Sequence, residues 1–506
     1  EDISAGLSVS VVKNAIYKVI RAHSPDELGE HIVVQGGTFK NDAVLRAFER
    51  EIGRNVTRPT IAGLMGAYGA ALYAREMAHK AAKALSDSDS DSGADADVSS
   101  SLISPGELVS FAHTSTTAVC SGCTNRCVLT VNRFPSSHGE KKFISGNKCE
   151  RGAGVKTGDS LPDMYEFKRK YLTTLPGARL STEAKRDSAS GNAKKRIGLP
   201  LALGMYELLP LWSGVFSALG FDVIVSAPSS RETYEKGQFT IPSDTACYPA
   251  KIMHGHIEEL CEAGCGVVFY PRMTWNIDEG QSDNHYNCPV VAYYSELLRG
   301  NMDVLRENGR VFLYPYLTLG DDKRLAKELY SALREHFPEI KRRDTECAVK
   351  NGMARQRAYY DAIKREGERS IKEARAAGKK IMVLAGRPYH VDPEICHGID
   401  KLALSLGFAV ITEDAAADYA ILPELKVLNQ WTYHSRLYRA AEFAAENEDV
   451  QLVQLVSFGC GVDAITTDEV RRILETRGKY YTQLKIDEIA NLGAVKIRLR
   501  SLSAVL

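Results

Sequence analysis

The run KIMVLAG at residues 380–386 places five consecutive apolar residues between a lysine and a glycine. Its length and its lack of polar alternation are typical of a strand buried on both faces, as in a parallel sheet. Similar apolar runs occur at 196–200, 221–226, 267–271, 290–292, 408–412 and 452–456. Helix-like segments separate them, including a long charged helix at about 353–377. Strand–helix alternation in two blocks predicts an α/β fold with two doubly wound, Rossmann-like or flavodoxin-like parallel-sheet domains.

The chain outside these two blocks has a different composition. Residues 86–104 are rich in Ser and Asp and lack apolar periodicity, which is typical of a solvated linker. The pattern of apolar residues in 1–85 predicts a helix, a strand and two further helices, with the strand at 32–35 and one helix from Asn41 to Ile52. The expected domains are therefore 1–85, the linker 86–104, a cysteine-rich module at 105–160, a first α/β domain at 194–350, and a helix plus a second α/β domain at 351–506.

Composition narrows the class of protein. The 506 residues are 44% hydrophobic and 25% charged, and Lys+Arg equals Asp+Glu at 64 each, so no nucleic-acid or anionic-membrane partner is expected. No apolar run reaches the roughly 20 residues that span a bilayer, and no signal peptide opens the chain, which predicts a cytoplasmic protein. The chain starts at Glu1 without Met, and we interpret it as a piece of something longer.

The eleven cysteines are the strongest chemical signal. An odd number of cysteines in a large chain favours metal or redox chemistry over a disulfide framework. Four of them have tight local spacing, with x2 and x3 between the first three and 21 residues before the fourth: Cys120, Cys123, Cys127 and Cys149. Short spacers let several sulfurs face one metal group, either a structural zinc or a four-iron four-sulfur cluster. The spacing departs from the paired C-x2-C of common zinc ribbons.

Three more cysteines lie in loops far apart in sequence, each at or near a glycine or proline: Cys247, Cys288 and Cys460. Ligands of doubly wound sheets bind beyond the carboxyl ends of the strands, where Cys460 directly follows a strand. A shared cleft for a second cluster is therefore predicted. Three sulfurs would leave one iron of a cubane without a protein thiolate.

Other candidate residues have two interpretations each. His254 and His256 could move protons or hydrogen-bond to sulfur beside the cluster, or be satisfied core histidines. Arg387 could hold an anion or acyl group at the cleft, or cap its strand. Ser243 and Asp244 are predicted to cap the helix that Cys247 enters, whose positive end would favour a thiolate.

The remaining cysteines and the glycine turn are weak signals of function. Cys261 and Cys265 are expected to pack in the core, and Cys347 is expected to have no functional role. For Cys396 both a functional and an incidental role stay open, with the incidental one favoured. Gly36-Gly37 is a turn where backbone could approach a ligand, but any tight turn between strand and helix uses glycines. No P-loop or Rossmann fingerprint accompanies it.

Several motifs together resemble a known family. Gln35 to Arg46 (QGGTFKNDAVLR) and Gly63 to Ala67 resemble the C-terminal end of BadF/BadG/BcrA/BcrD-type ATPases, the activases of 2-hydroxyacyl-CoA dehydratases. From about residue 105 the chain resembles the 2-hydroxyglutaryl-CoA dehydratase component D-like region of large fused activases. The motifs that carry this second resemblance are Ile241 to Lys251 (IPSDTACYPAK), His285 to Pro289 (HYNCP), Gly386 to His390 (GRPYH) and Phe458 to Gly461 (FGCG).

The resemblance implies an actin/Hsp70-like ATPase end followed by an iron–sulfur region. ATP would contact Gly36, Gly37 and Asn41, while the phosphate site would lie upstream of Glu1, so this chain alone should not hydrolyse ATP. The clusters would be of the 4Fe-4S type, as a single or double cubane. Arg272 stands where many relatives have cysteine, so the second cluster would be open and labile.

The implied partners and the rival function complete the expectation. The resemblance implies the upstream ATPase domain, an electron donor such as ferredoxin or flavodoxin, and a CoA-thioester substrate as partners, with a homodimer as one alternative. The chain would couple an ATP-driven activase to low-potential electron transfer or to substrate reduction. The rival function is a non-redox scaffold or interaction protein with a zinc knob at 120–149 and a vestigial cleft.

Overall fold

The computed structural model describes residues 2–20, 24–86, 106, 109, 111–120, 127–134, 141–146, 161–185, 196–307, 309–457, 459–488 and 492–505. The chain divides into two compact units, Glu1–Phe111 and Ala112–Leu506. None of the helices in the described ranges is long and apolar enough to cross a membrane.

The first unit is mainly helical. Its α-helices are α1 (Asp2–Lys13), α2 (Asp42–Ile52) and α3 (Met65–Ser86), with a π-helix at Asn14–Ile20 and 3-10 turns at Pro25–Leu28, Gly37–Lys40 and Ala62–Leu64. Asn41 Oδ1 accepts the Ala43 N–H at 2.9 Å and begins α2, while Gly53 ends it with a φ of 68°. The prediction of a strand at 32–35 is wrong, because among the described residues this segment pairs only through the isolated bridge from Val33 to Thr57.

The second unit starts with a small antiparallel sheet. Its strands are β1 (Thr114–Val119), β2 (Val128–Phe134) and β3 (Lys141–Ser145), in that order. β1 pairs with β2 and β2 with β3, both antiparallel. This sheet carries the described part of the cysteine-rich segment.

The first parallel sheet has five strands in the order β4-β6-β5-β7-β8. The strands are β4 (Ala178–Leu180), β5 (Arg196–Leu199), β6 (Asp222–Val225), β7 (Val267–Phe269) and β8 (Val311–Leu313). The helices of this part are α4 (Met164–Thr173), α5 (Ser181–Ala184), α6 (Met205–Ala218), α7 (Arg231–Gly237), α8 (Tyr248–Glu262), α9 (Pro289–Asn301) and α10 (Asp322–Leu333). All neighbouring strands are parallel. From β5 the chain continues to β6 on one side of it and then to β7 on its other side. The position between β5 and β7 is therefore a topological switch point.

The second parallel sheet has four strands in the order β10-β9-β11-β12. The strands are β9 (Ile381–Ala385), β10 (Ala409–Ile411), β11 (Val450–Ser457) and β12 (Thr482–Ile486). The helices are α12 (Pro393–Cys396), α13 (Ile399–Ser405), α14 (Glu413–Ala417), α15 (Thr432–Glu446), α16 (Gly461–Thr476) and α17 (Leu492–Val505). These strands are also parallel, and the switch point lies between β9 and β11. The predicted α/β class with parallel sheets is confirmed.

A long helix, α11 (Arg342–Ala376), links the two parallel sheets. Its close approach to α6 requires Gly352, since a Cβ there would lie 2.5 Å from Leu211 O. Gln356 Nε2 also donates to Glu207 O at 3.0 Å in this buried contact. The helix begins about ten residues earlier than the charge pattern indicated.

Residues 290–292 are helical, which corrects the expected strand. Pro289 is the first residue of α9, where a missing N–H costs nothing, and Cys288 precedes it as the N-cap. Val291 and Ala292 are buried on one face of α9, whereas Val290 is only half-buried. Three consecutive apolar residues indicated burial correctly but could not distinguish a strand from a helix start.

Candidate functional site

Three cysteines occupy the same structural position in three helices. Cys247 is the N-cap of α8, Cys288 that of α9 and Cys460 that of α16. Each N-cap is in the extended region, and α8 and α9 each have a proline in the first turn. A helix N-terminus presents unpaired N–H groups and the positive end of the dipole, so these positions favour a thiolate or an anionic group. The sulfur of Cys288 accepts the Val291 N–H at 3.5 Å.

One buried cation acts on all three of these thiols. Arg387 directly follows the Gly386 turn after β9, and it is 3% exposed. Its Nη2 donates to Cys460 Sγ at 3.3 Å, and its positive charge also acts on Cys247 and Cys288. We call Cys247, Cys288 and Cys460 the three-thiol site. The charges of these thiols also act on one another. That they share one cluster stays a prediction.

Two of the thiols are held in a desolvated environment. Burial raises the pKa of Cys247 to about 11, and it also raises the pKa of Cys288. The charge of Arg387 opposes this rise at both thiols. A metal group bound by Cys247 and Cys288 would therefore displace their protons.

Asp463 is the counter-charge of Arg387. Its Oδ1 lies 2.6 Å from Arg387 Nη2, and its Oδ2 accepts from Arg387 Nη1 at 3.2 Å and from the Ser457 N–H at 3.0 Å. Asp463 lies one helical turn after Cys460, so α16 supplies both the thiol and the carboxylate that faces Arg387. Sequence analysis missed Asp463, although its spacing of three residues from Cys460 was an available signal.

Two buried histidines adjoin Arg387. His390 Nδ1 accepts the Arg387 backbone N–H at 3.1 Å, and His434 Nε2 lies 3.4 Å from Arg387 Nη2. Because a guanidinium only donates, His434 Nε2 is the acceptor in that contact. Burial, followed by the charge of Arg387, lowers the pKa of both histidines well below the usual value. His390 Nε2 and His434 Nδ1 have no hydrogen-bond partner among the described residues.

The loop that carries Cys288 is hydrogen-bonded to the segment that precedes α15. The Tyr286 N–H donates to Gln430 O at 3.0 Å, and the Asp283 N–H donates to Asn429 O at 2.8 Å. The Asn429 N–H donates back to Asp283 Oδ2 at 3.0 Å. These bonds join the segment before α9 to the segment before α15, and so relate Cys288 to the part of the chain that holds Cys460.

A buried charge cluster reinforces this attachment. It consists of Glu207 on α6, Glu279 in the Cys288 loop, and Arg436 and Arg439 on α15. Arg436 Nη1 lies 2.6 Å from Glu207 Oε1, Arg436 also pairs with Glu279, and Arg439 Nη2 lies 2.8 Å from Glu279 Oε2. Arg436 and Glu207 are both buried, so their charges depend on each other.

The first predicted cysteine set is only partly visible. The Cys120 N–H donates to Cys127 O at 2.8 Å, directly after the end of β1 and before the start of β2. Cys123 and Cys149 lie outside the described residues. The predicted cluster or zinc at these four cysteines stays a prediction, and so does the contact of ATP with Gly36, Gly37 and Asn41.

Several individual expectations can be compared with their contacts. Cys261 and Cys265 are buried in the core, as expected for packing. His254 bonds to Thr240 Oγ1 at 2.7 Å and to Tyr294 OH at 3.0 Å, and His256 bonds to two serine hydroxyls at 2.8 Å each. Both rings therefore match the satisfied core histidines among the two interpretations.

One other prediction is corrected, and the surroundings of three further residues can be described. Ser243 and Asp244 do not cap α8: Cys247 is the N-cap, and Ser243 Oγ instead accepts the Thr245 N–H at 3.2 Å. Arg272 pairs with Glu296, and its guanidinium lies 3.6 Å from the ring centre of Tyr316. Cys347 is exposed on α11, and the sulfur of Cys396 lies 3.6 Å from Asp400 Oδ1 in the core.

The chemistry of the donors suits an iron–sulfur group better than a hard cation. Thiolates are the usual ligands of such clusters, and N–H donors around sulfur stabilise their negative charge. The three-thiol site offers three thiols, helix-end N–H groups and a fixed guanidinium. Within the described ranges, no three His, Cys, Asp or Glu side chains converge closely enough to hold a single metal ion.

Comparison with known proteins points to one family. Residues 196–416 match the family described as CoA enzyme activase uncharacterised domain (DUF2229). A 2-hydroxyisocaproyl-CoA dehydratase activator from Clostridioides difficile is 39% identical over 83 residues, which are 16% of this chain and 30% of that protein. The chain thus spans less than a third of the length of this curated relative. Both similarities support an acyl-CoA dehydratase activase family.

One solved structure shows a weak likeness. It is a proposed phosphosugar isomerase from Bacillus subtilis, 14% identical, aligned over 64% of this chain and 90% of that one, with a TM-score of 0.19. A likeness at this level bears on neither the fold nor the function.

Proposed function

We propose that this chain is an iron–sulfur protein of the acyl-CoA dehydratase activase type. Cys247, Cys288 and Cys460 would hold one cluster between the two parallel sheets. Cys120, Cys123, Cys127 and Cys149 would hold a second group. When bound, such clusters supply low-potential electrons, for transfer onward or for reduction of a CoA-thioester substrate.

The observation that carries the proposal is the shared placement of the three thiols. Each stands at the N-terminus of a separate helix. Arg387 donates to Cys460 Sγ, and its charge acts on Cys247 and Cys288. Structural cysteines in a core need no helix N-terminus, because Cys261 and Cys265 are buried at the C-terminal end of α8. Three cysteines at helix N-termini and a fixed cation favour an anionic group made of soft ligands.

Residues around the three-thiol site would hydrogen-bond to the sulfurs and hold the Cys288 loop in place. Arg387 and the Val291 N–H hydrogen-bond to two of the sulfurs, and the buried surroundings limit water at the site. Asp463 fixes the orientation of Arg387. The bonds from Tyr286 and Asp283 to the segment before α15 hold the Cys288 loop against the second sheet's helices.

The wider reaction follows from the family. An ATP-driven change in the activase domain would gate electron delivery, with ATP touching Gly36, Gly37 and Asn41. A ferredoxin or flavodoxin would be the electron donor. The name of the Clostridioides difficile relative supports a 2-hydroxyacyl-CoA dehydratase as the context in which this electron transfer is used.

Metal analysis under strict anaerobiosis tests the proposal. About four to eight iron atoms per chain, matching acid-labile sulfide and a broad absorption near 400 nm are expected. Electron paramagnetic resonance after reduction with dithionite should give a signal from a paramagnetic cluster. One zinc and no iron would instead indicate the non-redox scaffold and contradict the proposal.

A further inference from the structure

Arg387 is buried and contacts both an acid and a thiol. Its Nη1 and Nη2 donate to the carboxylate of Asp463, and Nη2 also donates to the sulfur of Cys460. Other groups that act on it are Tyr389 and Cys288. A charge in a desolvated site acts over several ångströms with little screening, so its influence extends beyond the atoms that it touches.

The contact with sulfur is not needed to bury the ion pair. A guanidinium with a bidentate carboxylate partner already satisfies its charge. Arg387 nevertheless directs Nη2 to Cys460 Sγ at 3.3 Å, and its charge reaches the other two thiols. The backbone of Arg387 is also held in place, because its N–H donates to His390 Nδ1. This close approach requires Gly386, since a Cβ there would collide with His390 Nδ1.

We propose that Arg387 is a positioning residue that raises the reduction potential of the group held by Cys247, Cys288 and Cys460. The negative charge of Asp463 partly offsets this effect. This inference rests on the proposed function. Reduction adds negative charge to the group, and a hydrogen-bond donor and a fixed positive charge beside a ligand sulfur stabilise that added charge. Arg387 therefore makes the group easier to reduce, and Asp463 limits the effect.

The two charges predict shifts of opposite sign. Arg387→Gln removes the cation but keeps an amide donor, and it should move the midpoint potential to a more negative value. Asp463→Asn removes the anion, and the asparagine Oδ1 can still accept the Ser457 N–H, so the potential should move to a more positive value. Arg387→Lys retains the charge and should lie nearer to wild type than Arg387→Gln.

The experiment is an anaerobic potentiometric titration of the whole chain, with iron and sulfide measured on each sample. Wild type, the three variants and the exposed control Arg369→Gln on α11 are compared, and circular dichroism checks folding. Opposite shifts for Arg387→Gln and Asp463→Asn, with the control unchanged, are the expected result. A merely structural role would loosen the site in both variants and would not give opposite signs.

The outcomes separate this inference from the function on which it rests. Wild type without iron would contradict the proposed function itself. Iron-loaded variants with the potential of wild type would overturn the role of Arg387 and leave the function standing. If Arg387→Gln does not fold, Arg387→Lys and Asp463→Asn decide: loss of iron in both folded variants, or shifts of the same sign, would overturn the inference.

Discussion

Arg387 Nη2 donates to Cys460 Sγ at 3.3 Å, and the two residues follow neighbouring parallel strands. Arg387 comes after β9 and Cys460 after β11, and these strands pair directly, with Ala385 opposite Gln454. The chain leaves β9 towards β10 on one side and reaches β11 on the other. The contact therefore lies at the switch point where doubly wound sheets open a crevice.

The first prediction concerns the buried charge cluster. Arg436→Met leaves Glu207 buried without its ion-pair partner, and it removes one of the two arginines that pair with Glu279. We expect a loss of about 3–5 kcal/mol in the free energy of unfolding, because an unpaired buried carboxylate is costly. Urea unfolding followed by circular dichroism measures it.

The matched control is Arg369→Met on the exposed face of α11. Arg369 pairs with Glu366 and Glu373 in solvent, so its loss should cost no more than about 1 kcal/mol. Equal losses for the two variants would show that the charge cluster does not stabilise the contact between α6, the Cys288 loop and α15.

The second prediction tests the close approach of α6 and α11. A Cβ at residue 352 would lie 2.5 Å from Leu211 O and 2.6 Å from Val215 Cγ2, so Gly352→Ala must push the helices apart. We expect a loss of about 1–3 kcal/mol by thermal unfolding. Gly300→Ala on α9 is the control, since nothing lies within 4 Å of its Cβ position. A neutral Gly352→Ala would mean that the helices have room to spare.

The third prediction concerns pH. Burial lowers the pKa of His254 to about 4. Below the unfolded value of about 6.5, the unfolded chain binds a proton that the folded chain does not, so stability is lost as the pH falls from there towards 4. His254→Gln should therefore flatten this dependence by about 1.4 kcal/mol per pH unit between those values.

Urea unfolding at several pH values between 4.5 and 7 measures that slope. His336 is exposed on the surface, and His336→Gln is the control with an expected slope like that of wild type. An unchanged slope for His254→Gln would show that this ring takes up a proton in the folded state.

The parallel sheets could be predicted because their strands carry strong local signals. KIMVLAG is apolar throughout and ends in glycine, and it forms β9 as Ile381–Ala385. The three-residue strand Ala178–Leu180 was missed, since a short edge strand inside a polar stretch has no periodic signal. Val290 to Ala292 was assigned to the wrong element, because a short apolar run reports burial and not conformation.

The site was predictable in its cysteines and less so in its surroundings. Pro or Gly near Cys247, Cys288 and Cys460 marked them as loop residues, and only Cys247 was expected to enter a helix. The structure places all three at N-caps. His434 approaches Arg387 only because α15 packs against β9 and β11, a tertiary contact with no local sequence pattern. Such groups can be found only once the topology is known.

The most direct test of the central claim is the iron content of Cys288→Ala beside Cys347→Ala. Both variants are purified anaerobically, and iron and acid-labile sulfide are counted per chain. Cys347 is exposed on α11 and is not one of the proposed ligands, so its loss should leave both counts at the level of wild type. If Cys247, Cys288 and Cys460 hold one cluster, Cys288→Ala should lose a whole cluster's iron and sulfide while keeping its fold. Equal iron and sulfide in Cys288→Ala, Cys347→Ala and wild type would contradict the claim.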